Sequence, residues 1–149
     1  MGQLQDLYSN VKLIPLHHAG NQTGAAFYSY YIDTTGLDII GFAVATFFNT
    51  ASTGNGYTPA VYGYTGETPG TATNYSACAT AELDGAFSQI VTQGAMKIQM
   101  VSLKQHLYKY YHVKMTEEGT ADCECAIFAI CGSIHQPISS LAPTTGAVS

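Results

Sequence analysis

Residues 110–131 read YYHVKMTEEGTADCECAIFAIC and predict two β-strands joined by a tight turn. In the first half, Tyr111, Val113 and Met115 alternate with polar residues, and this period of two is typical of a half-buried strand. The Glu-Glu-Gly-Thr sequence at 117–120 supplies a glycine, which tolerates the positive φ that tight turns require. The second half is almost continuously apolar. The stretch therefore favours an antiparallel strand pair over a helix.

The same pattern of apolar segments and turns extends towards the N-terminus as far as Gly20. Short apolar segments separated by Gly-, Asn- and Asp-containing turns recur at intervals of about 8–12 residues, which indicates a β-sandwich or barrel. Residues 39–48 are apolar on both faces, so we expect this strand at the centre of a sheet that is covered on both sides. The predicted strands cover residues 27–33, 39–48, 57–64, 76–83, 87–92, 96–103, 110–116 and 123–131.

Both ends of the chain lack this strand pattern. Near the N-terminus, Leu4, Leu7, Val11 and Ile14 recur at helix-like spacing without turn chemistry that would tie them into the strands. Near the C-terminus the chain is rich in Ser, Thr, Pro and Ala and shows no periodicity. The expected division is an N-terminal arm at 1–20, a β-sandwich domain at 21–136 and a C-terminal tail at 137–149.

The composition is poor in charge. Charged residues make up 10% and hydrophobic residues 46% of the chain, against a typical charged fraction of about 25%. The surface must therefore consist largely of neutral polar groups, which cost less to desolvate than ions. This favours a protein covered by neighbouring molecules, and an ordinary neutral-surfaced sandwich accounts for it equally well.

The charge balance argues against nucleic acid as a partner. All five basic residues are lysines, they are thinly spread, and the formal net charge is −5, whereas nucleic-acid binding relies on clustered Lys and Arg. No apolar run approaches the ~18 residues that a membrane span needs. We expect neither nucleic acid nor a membrane as partner.

The four cysteines leave two interpretations open. Cys123, Cys125 and Cys131 have odd numbers within one predicted strand, so they are expected to share a face with Ile127 and Ala129. Thiols in such a row usually act as buried small hydrophobic groups, and the pattern favours free thiols in the core. Disulfide or metal chemistry is the less favoured alternative.

Catalytic constellations are not evident. No Gly-x-Ser-x-Gly elbow is present, and none of the histidines lies in a nucleophile motif. His112 falls on the polar face of its strand, where a surface hydrogen-bonding role is expected. The acidic pair Glu117 and Glu118 lies in a predicted turn. We expect no enzyme activity, no catalytic, cofactor-binding or metal-ligating residues, and no cofactor.

The eleven tyrosines, in a chain without tryptophan, are the most unusual feature. Tyrosine combines a large apolar ring with a polar tip, which suits protein interfaces. Three interpretations stay open: packing across strands, a protein–protein interface, and a sugar-binding platform. The candidate interface residues are Leu4, Leu7, Val11, Ile14, Tyr57, Tyr62 and Tyr64.

Two segments carry a resemblance: KYYHVKMT at 109–116, with its turn and the apolar strand after it, and YIDTTGLDIIGF at 31–42. Together they resemble small tailed-phage virion proteins, mostly capsid decoration (cement) proteins with a jelly-roll-like domain. This resemblance implies an all-β, antiparallel β-sandwich of jelly-roll type. It also implies a homotrimer on the outer surface of the capsid, with an N-terminal arm that reaches neighbouring subunits.

The sequence thus predicts a non-enzymatic virion structural protein. Its expected role is to decorate and stabilise a phage capsid by bridging subunits of the major capsid protein. The alternative is a carbohydrate-binding or host-recognition module of a phage tail, with Tyr57, Tyr62 and Tyr64 as its platform.

Overall fold

A computed structural model describes residues 11–23, 26–52, 54–94 and 96–134 of the chain. Nearly all of the regular structure is extended, and its helical part consists of two three-residue 3₁₀ turns at Ala72–Asn74 and Thr80–Glu82. This confirms the all-β prediction. The strands are β1 (Lys12–Thr23), β2 (Phe27–Tyr28), β3 (Ile32–Asp33), β4 (Leu37–Asn49), β5 (Gly56–Tyr64), β6 (Ser76–Ala77), β7 (Leu83–Asp84), β8 (Lys97–Leu103), β9 (Tyr110–Glu118) and β10 (Asp122–Ile134).

The strands form two antiparallel sheets that pack face to face. Sheet A has the order β1-β10-β4-β8-β7, and sheet B has the order β2-β9-β5-β6, with β3 also paired to β9. If β2 and β3 are counted as one bent strand and β7 is left aside, the chain changes sheet at every connection except β5–β6. This is the strand order of a jelly roll, as the resemblance implied.

Strand β1 corrects the expected N-terminal arm. It pairs along β10 from Lys12 opposite Cys131 to Thr23 opposite Asp122, so residues 12–20 belong to the sandwich and not to a separate arm. The register is irregular around Pro15 and His17, and such irregularities interrupt the alternation by which a strand is recognised. The expected tail at 137–149 and residues 1–10 lie outside the described residues.

Two other predicted strands also differ. Residues 87–92 make only an isolated bridge between Ile90 and Tyr57, because the neighbouring backbone N–H of Ser88 donates to the Gln99 side-chain oxygen (2.7 Å) instead of a strand. Residues 76–83 contain the two-residue strand β6 and the start of β7, separated by the second 3₁₀ turn. The predicted strand at 27–33 is two short strands, β2 and β3, and the ends of the other predicted strands lie within three residues of the observed ones.

The core lies between the two sheets. Sheet A contributes Phe42 and Ile127, and sheet B contributes Tyr111 and Val113, all completely buried. The phenolic oxygen of Tyr111 accepts hydrogen bonds from the backbone N–H groups of Leu107 (3.1 Å) and Tyr108 (3.3 Å). The polar tip of this large core residue is therefore satisfied by a loop, as buried hydroxyls require.

The cysteine prediction is confirmed for the strand row. Cys123, Cys125 and Cys131 are free thiols that are fully buried on the inner face of β10. Burial raises the pKa of Cys131 to about 11. Cys78 is also free but only partly buried, and burial together with the nearby Glu82 raises its pKa to about 12. A hydrogen bond with Cys123 and burial raise the pKa of Cys125, and the same hydrogen bond lowers the pKa of Cys123. The raised pKa values keep Cys78, Cys125 and Cys131 as neutral thiols, since the thiolate is the reactive form.

Candidate protein interface

The outer face of sheet A, here called the open face, is apolar across four neighbouring strands. Pairing places Ala45 between Ala126 and Ile98, and Ala43 between Phe128 and Met100. The outward residues of the described part of this face are Leu13 and Pro15 of β1, Ala126, Phe128 and Ile130 of β10, Ile40, Gly41, Ala43, Ala45 and Phe47 of β4, and Ile98 and Met100 of β8, with Met96 directly before β8.

Large side chains on the open face are strongly exposed. The exposed fraction is 78% for Met96, 70% for Ile98, 64% for Met100 and 60% for Leu13. In β8 these residues alternate with Gln99 and Val101, which are buried against the core. Residues 98–101 therefore carry apolar or amide side chains on both sides of the strand, although only one side is covered within the described part of the chain. Contiguous exposed apolar patches of this kind mark interaction sites on soluble proteins.

The open face has small residues beside large ones. Ala43, Ala45 and Ala126 lie at its centre and are almost completely buried, with 6–8% of each exposed. Gly41 is fixed as glycine by its neighbour, because a Cβ at this position would meet the Val101 carbonyl oxygen at 2.1 Å. The large exposed side chains beside these residues belong to β8.

Charge is confined to the ends of the open face. Asp38 and Asp84 lie at one end of the sheet and Glu124 lies towards the other. Among the outward side chains that the structure describes between those ends, none is ionisable. Burying this area therefore costs little desolvation of charge.

The outer face of sheet B, here called the tyrosine face, is different. Its rings belong to Tyr28, Tyr31, Tyr62, Tyr64, Tyr75 and Tyr110, and those of Tyr28, Tyr62 and Tyr75 contact His112. The Tyr75 ring lies 4.4 Å from the His112 ring, centroid to centroid, and approaches it edge on. The Tyr62 ring, on the paired strand β5, stacks on the same imidazole with the two ring centroids 5.5 Å apart.

A loop of the chain covers much of the tyrosine face. Residues 65–75 carry Tyr75 over β5 and β9, and the loop is held by the Glu67 carbonyl oxygen. That oxygen accepts hydrogen bonds from Lys109 Nζ (2.9 Å) and the Tyr110 hydroxyl (3.0 Å). The ammonium group of Lys114 lies 5.5 Å and 5.7 Å from the ring centroids of Tyr28 and Tyr62, within cation–π range.

His112 corrects a prediction. It was expected to be a surface hydrogen-bonding residue, but it is completely buried. The reason is that tyrosine rings, and not water, cover the side of the strand on which His112 lies. Burial lowers the pKa of His112 to about 4, so the imidazole is neutral at physiological pH.

The structure separates the predicted interface residues. Tyr57 and Ile14 are buried in the core, and the Tyr57 hydroxyl donates to the Ala121 carbonyl oxygen at 3.1 Å. Both are therefore wrong as surface contacts, because neither can reach another molecule without unfolding. Tyr62 and Tyr64 are half-buried members of the tyrosine face.

The structure gives little information on the other predicted interface residues. Val11 is half-buried just before β1, and Leu4 and Leu7 lie outside the described residues. The sequence analysis did not identify the open face, although one signal could have found it: in the segment 98–101, Ile98 and Met100 alternate with Gln99 and Val101, so neither side carries a charge. Such a strand has two sides that exclude water rather than one.

Other chemical features are few in the described part of the chain. Its His, Cys, Asp and Glu side chains do not group in threes or more in a way that could hold a metal ion. No helix found in the same ranges is long and apolar enough to cross a membrane.

Comparisons with known proteins return no match: no family model, no curated protein and no solved structure is similar to this chain.

Proposed function

We propose that this chain is a non-enzymatic virion structural protein that decorates a phage capsid and works by being covered by other protein surfaces. The open face is the observation that carries the proposal. Its exposed Ile98 and Met100 and its lack of mid-face charge among the described side chains suit burial against protein. They offer no group for binding or transforming a small polar substrate.

The fold and composition support the same function. Jelly rolls build viral capsid domains and also lectin domains, so the fold alone does not decide the role. The low charged fraction of 10% keeps the desolvation cost of assembly small over the whole surface. The resemblance of residues 31–42 and 109–116 to decoration proteins directs the proposal to the outside of a capsid.

The positions of the proposed platform tyrosines argue against the sugar-binding alternative. Of its three tyrosines, Tyr57 is in the core, and Tyr62 is engaged with the His112 ring and the Lys114 ammonium group. A sugar platform needs ring faces that are free to stack against the ligand. The tyrosine face uses its rings chiefly to cover its own sheet.

The mechanism is additive burial of apolar surface. Each Å² of apolar area removed from water contributes about 25 cal/mol, so a modest patch gives only a weak single contact. A protein that binds a repeating lattice through more than one such contact gains by effective concentration. Decoration therefore stabilises a shell by bridging neighbouring subunits without chemistry.

The test is co-sedimentation with heads of the encoding phage that were assembled without this protein. We expect the full chain to bind the heads and to raise the temperature at which they release DNA. Ile98→Asp should lose binding, because it places a charge in the open face. Leu107→Asp is the matched control, since Leu107 is similarly exposed (52%) but lies on a loop away from that face.

Absence of binding to such heads by the wild-type chain would contradict the proposal. So would equal loss of binding by Leu107→Asp, because the effect would then reflect added charge anywhere on the surface. Specific binding to a sugar on a glycan array, unaffected by Ile98→Asp, would favour the alternative.

A further inference from the structure

The tyrosine face is covered by a loop that belongs to neither sheet. Residues 65–75, all of which the structure describes, contain one 3₁₀ turn and no strand. Near one end of the loop, the Glu67 carbonyl oxygen accepts hydrogen bonds from Lys109 Nζ and the Tyr110 hydroxyl. At the other end, the Tyr75 ring packs on the sheet and is only 5% exposed. The loop is therefore able to leave sheet B without breaking a strand pair, as local opening of a folded protein requires.

Beneath this loop, buried polar atoms lie without hydrogen-bond partners. His112 is completely buried, and within the described part of the chain neither of its ring nitrogens has a partner. The hydroxyl oxygen of Tyr75 is buried and unpaired in the same way. Polar groups that leave water without gaining a new partner oppose burial. Closure of the loop is therefore favoured by ring packing and opposed by the lost hydration of these atoms.

The described groups that face His112 offer it no negative charge. Three aromatic side chains from three elements contact its ring, namely Tyr28 of β2, Tyr62 of β5 and Tyr75 of the loop. On its own strand β9, the Lys114 ammonium group lies over two of these rings. The carboxylate of the loop, on Glu67, is fully exposed and lies 3.9 Å from Lys109 Nζ. Among the described side chains, a protonated His112 would therefore meet a like charge and no counter-ion.

We propose that the loop at 65–75 is an acid-sensitive cover, and that protonation of His112 releases it from sheet B while the sandwich stays folded. A protonated imidazole carries two N–H donors, and the closed arrangement of the described residues supplies neither with a hydrogen-bond partner. Its charge would also be held out of water beside that of Lys114, which is costly. Opening of the loop admits water to both nitrogens and relieves both effects.

The pKa of His112 is shifted in the direction that this mechanism needs. Burial lowers it to about 4, the Val113 backbone opposes the shift, and the charge of Lys114 adds to it. With the loop open and the ring in water, the ordinary pKa of about 6.5 applies. The open form therefore binds the proton first as pH falls, so closure is strongest above about pH 6.5 and weakens towards about pH 4. The two pKa values raise the equilibrium constant for opening about 200-fold between pH 7 and pH 3.

A change of this size opens a loop whose closure is favoured by about 100-fold at pH 7. The unpaired polar atoms under the loop support such a modest preference. The sandwich has packing of its own, because Tyr111 and Val113, on either side of His112 in β9, are completely buried in the core. We therefore expect the loop to open before the sheets separate. The inference goes beyond the proposed function and is independent of it, since the open face belongs to the other sheet.

An NMR titration of the full chain from pH 7 to pH 3 tests the inference. The ring signals of His112 report its protonation. Nuclear Overhauser contacts between the rings of Tyr75 and His112, whose centroids are 4.4 Å apart, report closure of the loop. We expect these contacts to disappear as His112 takes up its proton, between about pH 6.5 and pH 3. The contacts between Phe42 and Tyr111 across the core should persist throughout.

Two variants separate His112 from other titrating groups. His112→Phe keeps an aromatic ring under the loop but binds no proton, so Tyr75 should keep its contacts with sheet B down to pH 3. Tyr75→Phe is the matched control, because it removes the unpaired hydroxyl and keeps both the ring and His112. It should open over the same pH range as the wild type. Circular dichroism at pH 7 should show that both variants are folded, and the wild-type titration decides the matter even if one is not.

Three results would overturn the inference. One is a protonated His112 that retains its contacts with Tyr75. Another is loss of the contacts between Phe42 and Tyr111 in the same transition, which would mean that the whole sandwich unfolds with the loop. The third is opening of the loop in His112→Phe at the same pH as in the wild type, which would assign the acid response to another group.

Discussion

The two outer faces of the sandwich differ in what covers them. Each sheet has one side in the shared core and a second side that is also poor in charge. Over the tyrosine face the chain folds its own loop at 65–75 and places Tyr75 against His112. Over the open face no described segment does this, and Ile98 and Met100 stay in solvent.

The difference shows which face is covered by the described part of the chain. Tyrosine rings can cover a sheet while their hydroxyl groups reach backbone or water, as the Tyr110 hydroxyl does at Glu67. Methionine and isoleucine have no such polar tip and need apolar neighbours. The tyrosine face should therefore contribute to the stability of the monomer, and the open face should contribute to assembly.

The largest expected effect is on the tyrosine face. Tyr75→Ala should destabilise the monomer by about 3 kcal/mol, because it removes a buried ring and uncovers His112. Urea unfolding measures the loss. Tyr30→Ala is the control, since Tyr30 is 37% exposed and its ring lies outside the tyrosine face. A loss below about 1 kcal/mol for Tyr75→Ala would mean that the loop does not shield the tyrosine face from water.

The second prediction concerns acid. The pKa of His112 is about 4 in the folded protein against 6.5 unfolded, so the unfolded chain takes up a proton first as pH falls. Stability contributed by the neutral ring is complete above about pH 6.5 and is lost towards about pH 4, by up to about 3 kcal/mol in total.

His112→Phe isolates this effect from other titrating groups. Phenylalanine fits among rings and carries no proton, so the fall in unfolding free energy between about pH 7 and pH 4.5 should be smaller in the variant. Identical pH dependence in both proteins would show that the ring is reached by water.

The third prediction concerns the core that both faces share. Cys125→Ser should cost about 1–3 kcal/mol, because a hydroxyl would be buried among apolar groups. Cys125→Ala serves as the control for lost volume. Thiol titration of unfolded, non-oxidised protein should recover all four cysteines, and fewer would indicate a disulfide.

The smallest effect is expected on the open face. Met100→Asp should change the unfolding free energy of the dilute monomer by less than about 0.5 kcal/mol, because the side chain is already in water. The same measurement on Leu107→Asp gives the baseline. A loss of about 2 kcal/mol or more would mean that the open face is part of the monomer's own packing.

These contrasts also explain what the sequence could predict. Alternation at 110–116 and the apolar run at 123–131 located β9, β10 and the row of buried thiols. Strand β1 was not predicted because its irregular register around Pro15 and His17 breaks the period of two. Such a strand is specified by its partner β10 and not by its own pattern.

The two faces were harder to predict than the strands. The burial of His112 depends on Tyr75, which is distant in sequence and reaches it through the loop. Tyr57 and Tyr62 belong to the same strand but point to opposite sides, and composition cannot show which tyrosines line the core. The apolar centre of the open face becomes visible only when the register places Ala45 beside Ala126 and Ile98.

The most direct test of the central claim, that another protein surface covers the open face, is methionine oxidation. Peroxide converts accessible methionines to sulfoxides, which mass spectrometry locates. Met96 and Met100 mark the open face, and the fully buried Met115 is an internal control. We predict that Met96 and Met100 oxidise quickly in the free protein and become protected on assembled heads, while Met115 stays protected throughout. Equally fast oxidation of Met96 and Met100 in the free protein and on intact heads would contradict the account.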